Sequence, residues 1–142
     1  MRISTKGRYA LRVMVDLSEH NNGAYIPLKD IAERQEISQK YLESIMSVLS
    51  KAGFVDALHG KGGGYRLNRP PSEYTVGSIL KLTEGSLAPV ACLEREKNTC
   101  ERAAKCRTLP MWTELDHLID NYLEGVTLGD LACNASAGDY VI

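Results

Sequence analysis

Gly60, Gly62, Gly63 and Gly64 fall within five consecutive residues, and alternating runs flank them, Phe54-Val55-Asp56-Ala57-Leu58 before and Tyr65-Arg66-Leu67 after. Apolar and polar side chains taking turns mark a half-buried strand, so a glycine cluster between two such runs predicts a β-hairpin with a flexible tip. What precedes the hairpin narrows the fold further. Leu42, Ile45, Met46 and Leu49 lie on one face of a helix that Ser38 caps and Gly53 ends. Before it, Pro27 introduces a short helix from Leu28 to about Arg34, with Ile31 and Ala32 facing inward. A longer helix from Thr5 to about His20 opens the chain, with Ser4 or Thr5 as cap and Ala10, Val13, Met14 and Leu17 on one face, and Asn21-Asn22-Gly23 stops it. Two short helices joined by a tight turn, the second starting at a serine cap, form a helix-turn-helix, and a hairpin directly after it is a wing. The expected fold is mainly α with a small β-hairpin, a winged helix-turn-helix followed by a long C-terminal helix.

The third helix has the chemistry of a helix that enters a major groove. Opposite its apolar stripe stand Ser38, Gln39, Lys40, Glu43, Ser44, Ser47 and Lys51. Glutamine suits adenine, a carboxylate accepts from cytosine N4, and Ser38 and Lys40 suit phosphates or base edges. The glycines of the tip let backbone approach a phosphate or minor-groove wall, with His59, Gly60 and Lys61 where a side chain can enter. A nucleotide phosphate loop is disfavoured, because these glycines lead into a strand and not a helix N-terminus. Arg2, Lys6 and Arg8, next to Tyr9, form a basic cluster that can anchor phosphates. Charge agrees: residues 1–71 carry +4 and residues 72–142 carry −5, within a total of −1. The basic front half thus favours a polyanionic partner, double-stranded DNA, and the acidic back half does not.

Apolar residues make up 44% of the chain, enough for a core. The longest mostly apolar stretch, Tyr9 to Leu17, is interrupted by Arg12 and Asp16 and is too short to span a bilayer. With no secretory leader pattern, a cytoplasmic location and no membrane partner are expected.

Pro70-Pro71-Ser72 marks a boundary, after which Thr75 caps a short helix from Val76 to about Thr83. Thr108 and Pro110 begin a long helix whose apolar positions, Trp112, Leu115, Ile119, Tyr122 and Val126, are spaced 3, 4, 3 and 4. That spacing is a heptad seam suited to a second helix. Thr127 is expected to cap a last turn, Leu128 to Leu131, with a disordered tail after Cys133. The chain thus divides into a DNA-binding domain (1–71), a linker helix with a cysteine loop (72–107), and a dimerisation helix with a tail (108–142).

Cys92, Cys100 and Cys106 have seven and then five residues between them. In a reducing compartment clustered cysteines are metal or redox ligands more often than disulfides, and thiolates are soft ligands for zinc or iron–sulfur clusters. The Cys-x-x-Cys knuckle of a structural zinc site is missing. Lys97, Arg102, Lys105 and Arg107 flank the thiols and favour thiolates. An enzyme with a nucleophilic cysteine is disfavoured, since His20, His59 and His117 are not arranged locally with any cysteine.

Three segments together, Arg2-Ile-Ser-Thr-Lys-Gly-Arg-Tyr-Ala-Leu11, Ser38-Gln-Lys-Tyr-Leu-Glu43 and Gly60-Lys-Gly-Gly-Gly-Tyr65, resemble the winged-helix iron–sulfur regulators of bacteria of the IscR, NsrR and CymR types. The resemblance runs from Met1 to about Cys133. It implies a homodimer on a palindromic operator, joined through the long C-terminal helix, with the third helix in the major groove and the wing in the minor groove. It also implies an iron–sulfur cluster, 2Fe–2S or 4Fe–4S, held by Cys92, Cys100 and Cys106. The fourth ligand departs from the pattern, because the IscR-type histidine is matched here by Leu109 and the NsrR-type acidic residue by Arg8. An exogenous ligand, His117, Cys133 or a carboxylate such as Glu94 remains. The alternative within the same fold is a CymR-like regulator of sulfur metabolism whose cysteines are thiol switches without a cluster.

Overall fold

The structure, a computed structural model, describes residues 2–137, with side chains through residue 132. Helix α1 spans Thr5–Glu19, and the Ser4 hydroxyl accepts from the Gly7 N–H at 3.1 Å, satisfying one of the free donors of the first turn. Ala10, Val13, Met14 and Leu17 are all buried, as their spacing requires. Helix α2 (Leu28–Gln35) and helix α3 (Gln39–Lys51) follow, joined through Glu36 in the left-handed conformation. The Ser38 hydroxyl caps α3 by accepting from the Tyr41 N–H at 3.2 Å, and Leu42, Ile45, Met46 and Leu49 are buried.

Strands β1 (Val55–Leu58) and β2 (Gly64–Leu67) pair antiparallel, with Val55 opposite Leu67 and Leu58 opposite Gly64. The hairpin has a third member that alternation does not reveal. The Ile26 N–H donates to the Tyr65 carbonyl at 2.8 Å and the Tyr65 N–H to the Ile26 carbonyl at 2.9 Å, tying the wing to the segment before α2. This approach gives Gly64 its reason: its φ is 154°, and a Cβ there would overlap the Ile26 carbonyl.

Tyr74 is buried under the wing. Its hydroxyl donates to the Phe54 carbonyl at 2.8 Å and accepts from the Asn68 N–H at 3.0 Å. Helix α4 (Val76–Glu84) is capped by Thr75, whose hydroxyl accepts from the Ser78 N–H at 3.0 Å. The main core is continuous from α1 through β2 and takes in Tyr74, Ile79 and Leu128 from beyond residue 71.

Between Ala88 and Thr127 no residue is buried. The stretch up to α5 holds only two short 3-10 turns, Ala91–Leu93 and Ala103–Lys105. Helix α5 (Leu109–Glu124) serves two faces, which corrects the expected seam. Ile119, Leu123 and Val126 pack inward on Val76, Leu80 and Leu87, whereas Met111, Leu115, Leu118 and Tyr122 stand exposed in the order 4, 3, 4. The heptad reading merged residues of these two faces because both recur at about the helical period. Helix α6 runs Leu128–Ala137, longer than the single turn expected and through part of the expected tail. A capping box starts it, with the Thr127 hydroxyl accepting from the Asp130 N–H at 3.1 Å and the Asp130 carboxylate from the Thr127 N–H at 3.0 Å. Alanines at 132, 135 and 137 continue the helix by propensity where the apolar period has ended. The Cys133 side chain and residues 138–142 lie outside the described part.

α5 is fastened to α4 by polar groups as well as by apolar packing. The Thr75 hydroxyl donates to Glu124 at 2.7 Å, and the Lys81 ammonium reaches Glu124 at 3.0 Å and also pairs with Asp120. The Thr75 hydroxyl, and next the Lys81 ammonium, hold the Glu124 carboxyl below its ordinary value of 4.5, while Asp120 and Glu124 raise Lys81. A depressed carboxyl contributes stability above its unfolded value, and that stability is lost as pH falls through the folded value. Urea unfolding followed from neutral pH to below pH 4.5 should therefore show wild type losing stability more steeply than Glu124→Gln. Parallel profiles would mean that this contact contributes nothing.

Candidate nucleic-acid interface and cysteine loop

The position of α3 rests on a buried charge. Asp16 is 2% exposed at the inner face of α1. Arg34 of α2 donates to it through two nitrogens, at 2.7 and 3.0 Å, and the Gln35 amide donates at 2.9 Å. The His20 Nδ1 lies 3.6 Å from the same carboxylate. A bidentate guanidinium with a second donor compensates desolvation of the carboxylate and fixes the angle between α1 and α2. The only sequence signal was an acidic residue inside an apolar helical stripe.

With α2 fixed, α3 turns Ser38, Gln39, Lys40, Glu43, Ser44, Ser47 and Lys51 to solvent, all of them exposed. His59, Gly60 and Lys61 are exposed at the wing tip. Between α3 and the wing runs a groove of about 540 Å³, lined by Lys29, Gln39, Glu43, His59 and Gly60 among others. The fold thus brings Gln39 and Glu43 to the same groove as His59 and Gly60, while Ser47 and Lys51 stand further along α3. Lys29 lines the groove with them although it lies outside the residues that the sequence pattern marks. Its signal was a lysine in the first turn of α2, where the helix dipole disfavours a cation.

The N-terminal basic residues are more dispersed than the cluster expected from sequence. Arg8 is exposed and donates to the Thr5 hydroxyl at 3.1 Å, and Lys6 is half-buried. Tyr9 packs edge-on against Tyr41 with ring centres 5.7 Å apart, and the Arg12 guanidinium lies 5.2 Å from the Tyr9 ring centre. Arg2 is exposed and lines a separate cavity with Ile3, Glu84 and Ala91. Here Glu84, the last residue of α4, receives both the N–H and the hydroxyl of Ser4, the latter at 2.7 Å. The base of the cysteine loop is thereby tied to the cap of α1.

In the loop itself Cys92, Cys100 and Cys106 are free thiols, Cys100 exposed and the other two half-buried. Cys92 and Cys100 line one cavity of about 340 Å³ with Glu94 and Lys97. Cys106 stands apart, its sulfur 3.3 Å from the Thr108 hydroxyl. Hydrogen bonds from that hydroxyl, then from the Thr108 and Leu109 N–H groups, hold the Cys106 thiol below its ordinary value, and Arg102 adds to the effect. Among the described residues no three Cys, His, Asp or Glu side chains already stand as a metal-holding group. The donors nonetheless fit an iron–sulfur cluster in kind: three accessible sulfurs on a segment with no buried residue, where convergence breaks no packed core. Of the fourth-ligand candidates, His117 is exposed on α5 and Glu94 is exposed in the loop.

A polar helix face beside a glycine wing, carried on a buried helical core, defines a winged-helix DNA-binding protein. The chain belongs to the Rrf2 family of iron-dependent transcriptional regulators, whose model matches residues 3–134. It is 40% identical over 131 residues to the HTH-type transcriptional regulator IscR of Aliivibrio salmonicida, covering 92% of this chain and 77% of that protein. Among solved structures, IscR of T. potens superposes with a TM-score of 0.78 at 34% identity, covering 100% of this chain and 93% of that one. CymR, the global cysteine regulator of B. subtilis, gives 0.77 at 34% identity, covering 94% and 98%. The protein is accordingly a transcriptional regulator and not an enzyme. No described helix is long and apolar enough to cross a membrane.

Proposed function

We propose that this regulator binds a palindromic operator as a homodimer in the cytoplasm and takes its signal through an iron–sulfur cluster held by Cys92, Cys100 and Cys106. The observation that carries the reading is the loop: three free, accessible thiols on a coreless segment whose base, Glu84, grips the start of the DNA-binding half. When bound, the cluster would supply an oxidisable centre whose integrity reports iron supply and oxidants.

Residues 1–71 read DNA, residues 72–107 carry the sensing loop, and residues 108–142 join the two copies. Ser38, Gln39, Lys40, Glu43, Ser44, Ser47 and Lys51 face the major groove, with Gln39 and Glu43 best placed for base edges. His59, Gly60 and Lys61 enter the minor groove, and Arg2, Lys6, Arg8 and Tyr9 position the phosphates. The second copy covers the outward stripe of α5, where Met111 is 53%, Leu118 60% and Tyr122 71% exposed, a large apolar area for one helix to leave in water.

One observation favours the thiol-switch reading. A Cys106 thiol held low by Thr108 is a better nucleophile toward oxidants than an ordinary cysteine. Purification without oxygen separates the two readings. Brown protein with about one cluster per chain, lost on changing Cys92, Cys100 or Cys106 to Ala, is expected; colourless, iron-free protein after reconstitution would leave the thiol switch. On DNA, Glu43→Ala should relax the preference at one base pair by about 1–3 kcal/mol, read by competition between operator variants. Unchanged selectivity would place Glu43 off the bases. Leu118→Glu should yield a monomer in sedimentation at concentrations where wild type is dimeric, since loss of one large apolar contact costs about 2–5 kcal/mol and the new charge adds desolvation. A dimer that survives would refute the α5 interface.

A further inference from the structure

Three cysteines leave one coordination position of a cluster without a protein ligand, and the two positions to which the resemblance points for it hold Leu109 and Arg8 here. Leu109 has no donor atom, and the Arg8 guanidinium is a cation already engaged with Thr5. Glu94 differs from both. It follows the 3-10 turn Ala91–Leu93, two residues after Cys92, and lines the same cavity as Cys92 and Cys100. Its side chain is exposed and has no hydrogen bond or ion pair among the described residues, although Arg95 and Lys97 line that cavity with it. Of the other carboxylates around the loop's base, Glu84 is committed to Ser4 and Asp120 and Glu124 to Lys81, while Asp116 lines a neighbouring cavity with Glu94 and not the one that holds Cys92 and Cys100. Glu96 and Glu101 are exposed and do not line the cavity.

We propose that Glu94 is the fourth protein ligand, its carboxylate binding the iron that Cys92, Cys100 and Cys106 leave open. The inference rests on the cluster reading above and gives it a consequence. Oxygen is a harder donor than the thiolate or imidazole usual at such sites, so the iron it holds is the more easily extracted one. A free carboxylate next to two accessible thiols, on a segment without buried residues, can turn inward with Cys106 at no cost in core packing.

The test uses the full chain loaded without oxygen with ferrous iron and sulfide, comparing wild type, Glu94→Ala, Glu94→Cys and His117→Ala. Iron and sulfide per chain, the paramagnetic resonance spectrum of the reduced protein, and the rate of iron loss to EDTA are read for each. Glu94→Ala should still take up iron and sulfide on its three thiolates, but with shifted resonance positions and iron loss faster by about tenfold or more, the least expected when a ligand and not its outer support is removed. Glu94→Cys should regain the slow loss with a stronger thiolate-to-iron absorption, and His117→Ala should match wild type. A Glu94→Ala protein with wild-type spectrum and lifetime overturns the proposal and leaves the cluster reading standing, as does His117→Ala producing the changes instead. If Glu94→Ala alters DNA affinity alone, Glu94 belongs to the neighbouring cavity it shares with Arg2, and the proposal is equally overturned. Wild-type protein that takes up no iron and sulfide defeats the cluster reading itself.

Discussion

Helix α1 is enclosed by α2, α3, α4, α6 and β2, and each of these elements takes its position from it. Ala10, Val13 and Met14 are wholly buried, so the helix can neither roll nor slide without opening a cavity. Its polar contacts fix what packing leaves free. At one end Asp16 holds α2 through Arg34 and Gln35, and so aims α3. At the other end Ser4 and Gly7 meet Glu84, where a side chain on residue 7 would come within 3.1 Å of the Glu84 carboxylate. One helix thus carries the alignment of the reading face at its C-terminal end and the anchor of the cysteine loop at its N-terminal end.

Most of the DNA-binding half is legible in the sequence because its physics is local. Helical periodicity, the serine caps at Ser4 and Ser38, and alternation across the hairpin each depend on neighbours a few residues apart. Three features escaped because they join distant residues. The bridge between Ile26 and Tyr65 depends on close backbone approach and leaves only Gly64 as a trace, which reads equally well as DNA clearance. Asp16 looks like a flaw in an apolar stripe until Arg34 is brought beside it. The two faces of α5 share a period, and only the packing of Ile119, Leu123 and Val126 on α4 separates them from Met111, Leu115, Leu118 and Tyr122.

The cysteine region was legible as chemistry and not as geometry. Thiols in a polar, aperiodic segment point to ligation or redox work whatever their arrangement, and the family supports that class of function. Their convergence is a different matter. Cys92 and Cys100 share a cavity, Cys106 bonds to Thr108, and nothing buried between Ala88 and Thr127 compels the three together. Segments with so little core sit at the low-stability end of a fold, where a bound group can impose an arrangement that the chain alone does not.

The same contrast governs how the loop can act on DNA. The head, packed around α1, resists internal deformation, so a change in the loop moves Gln39 and Glu43 with the head as a whole more readily than it bends α3. The loop does meet α4, whose end grips Ser4 through Glu84 and whose flank grips α5 through Lys81 and Thr75. α4 therefore stands between a rigid reader and the helix proposed to join two readers. Rearranging the loop would shift α5 against α4 and move one whole head relative to the other, leaving each groove intact. In the proposed dimer such a shift would change the spacing of two half-sites and leave the bases that each half-site prefers as they are.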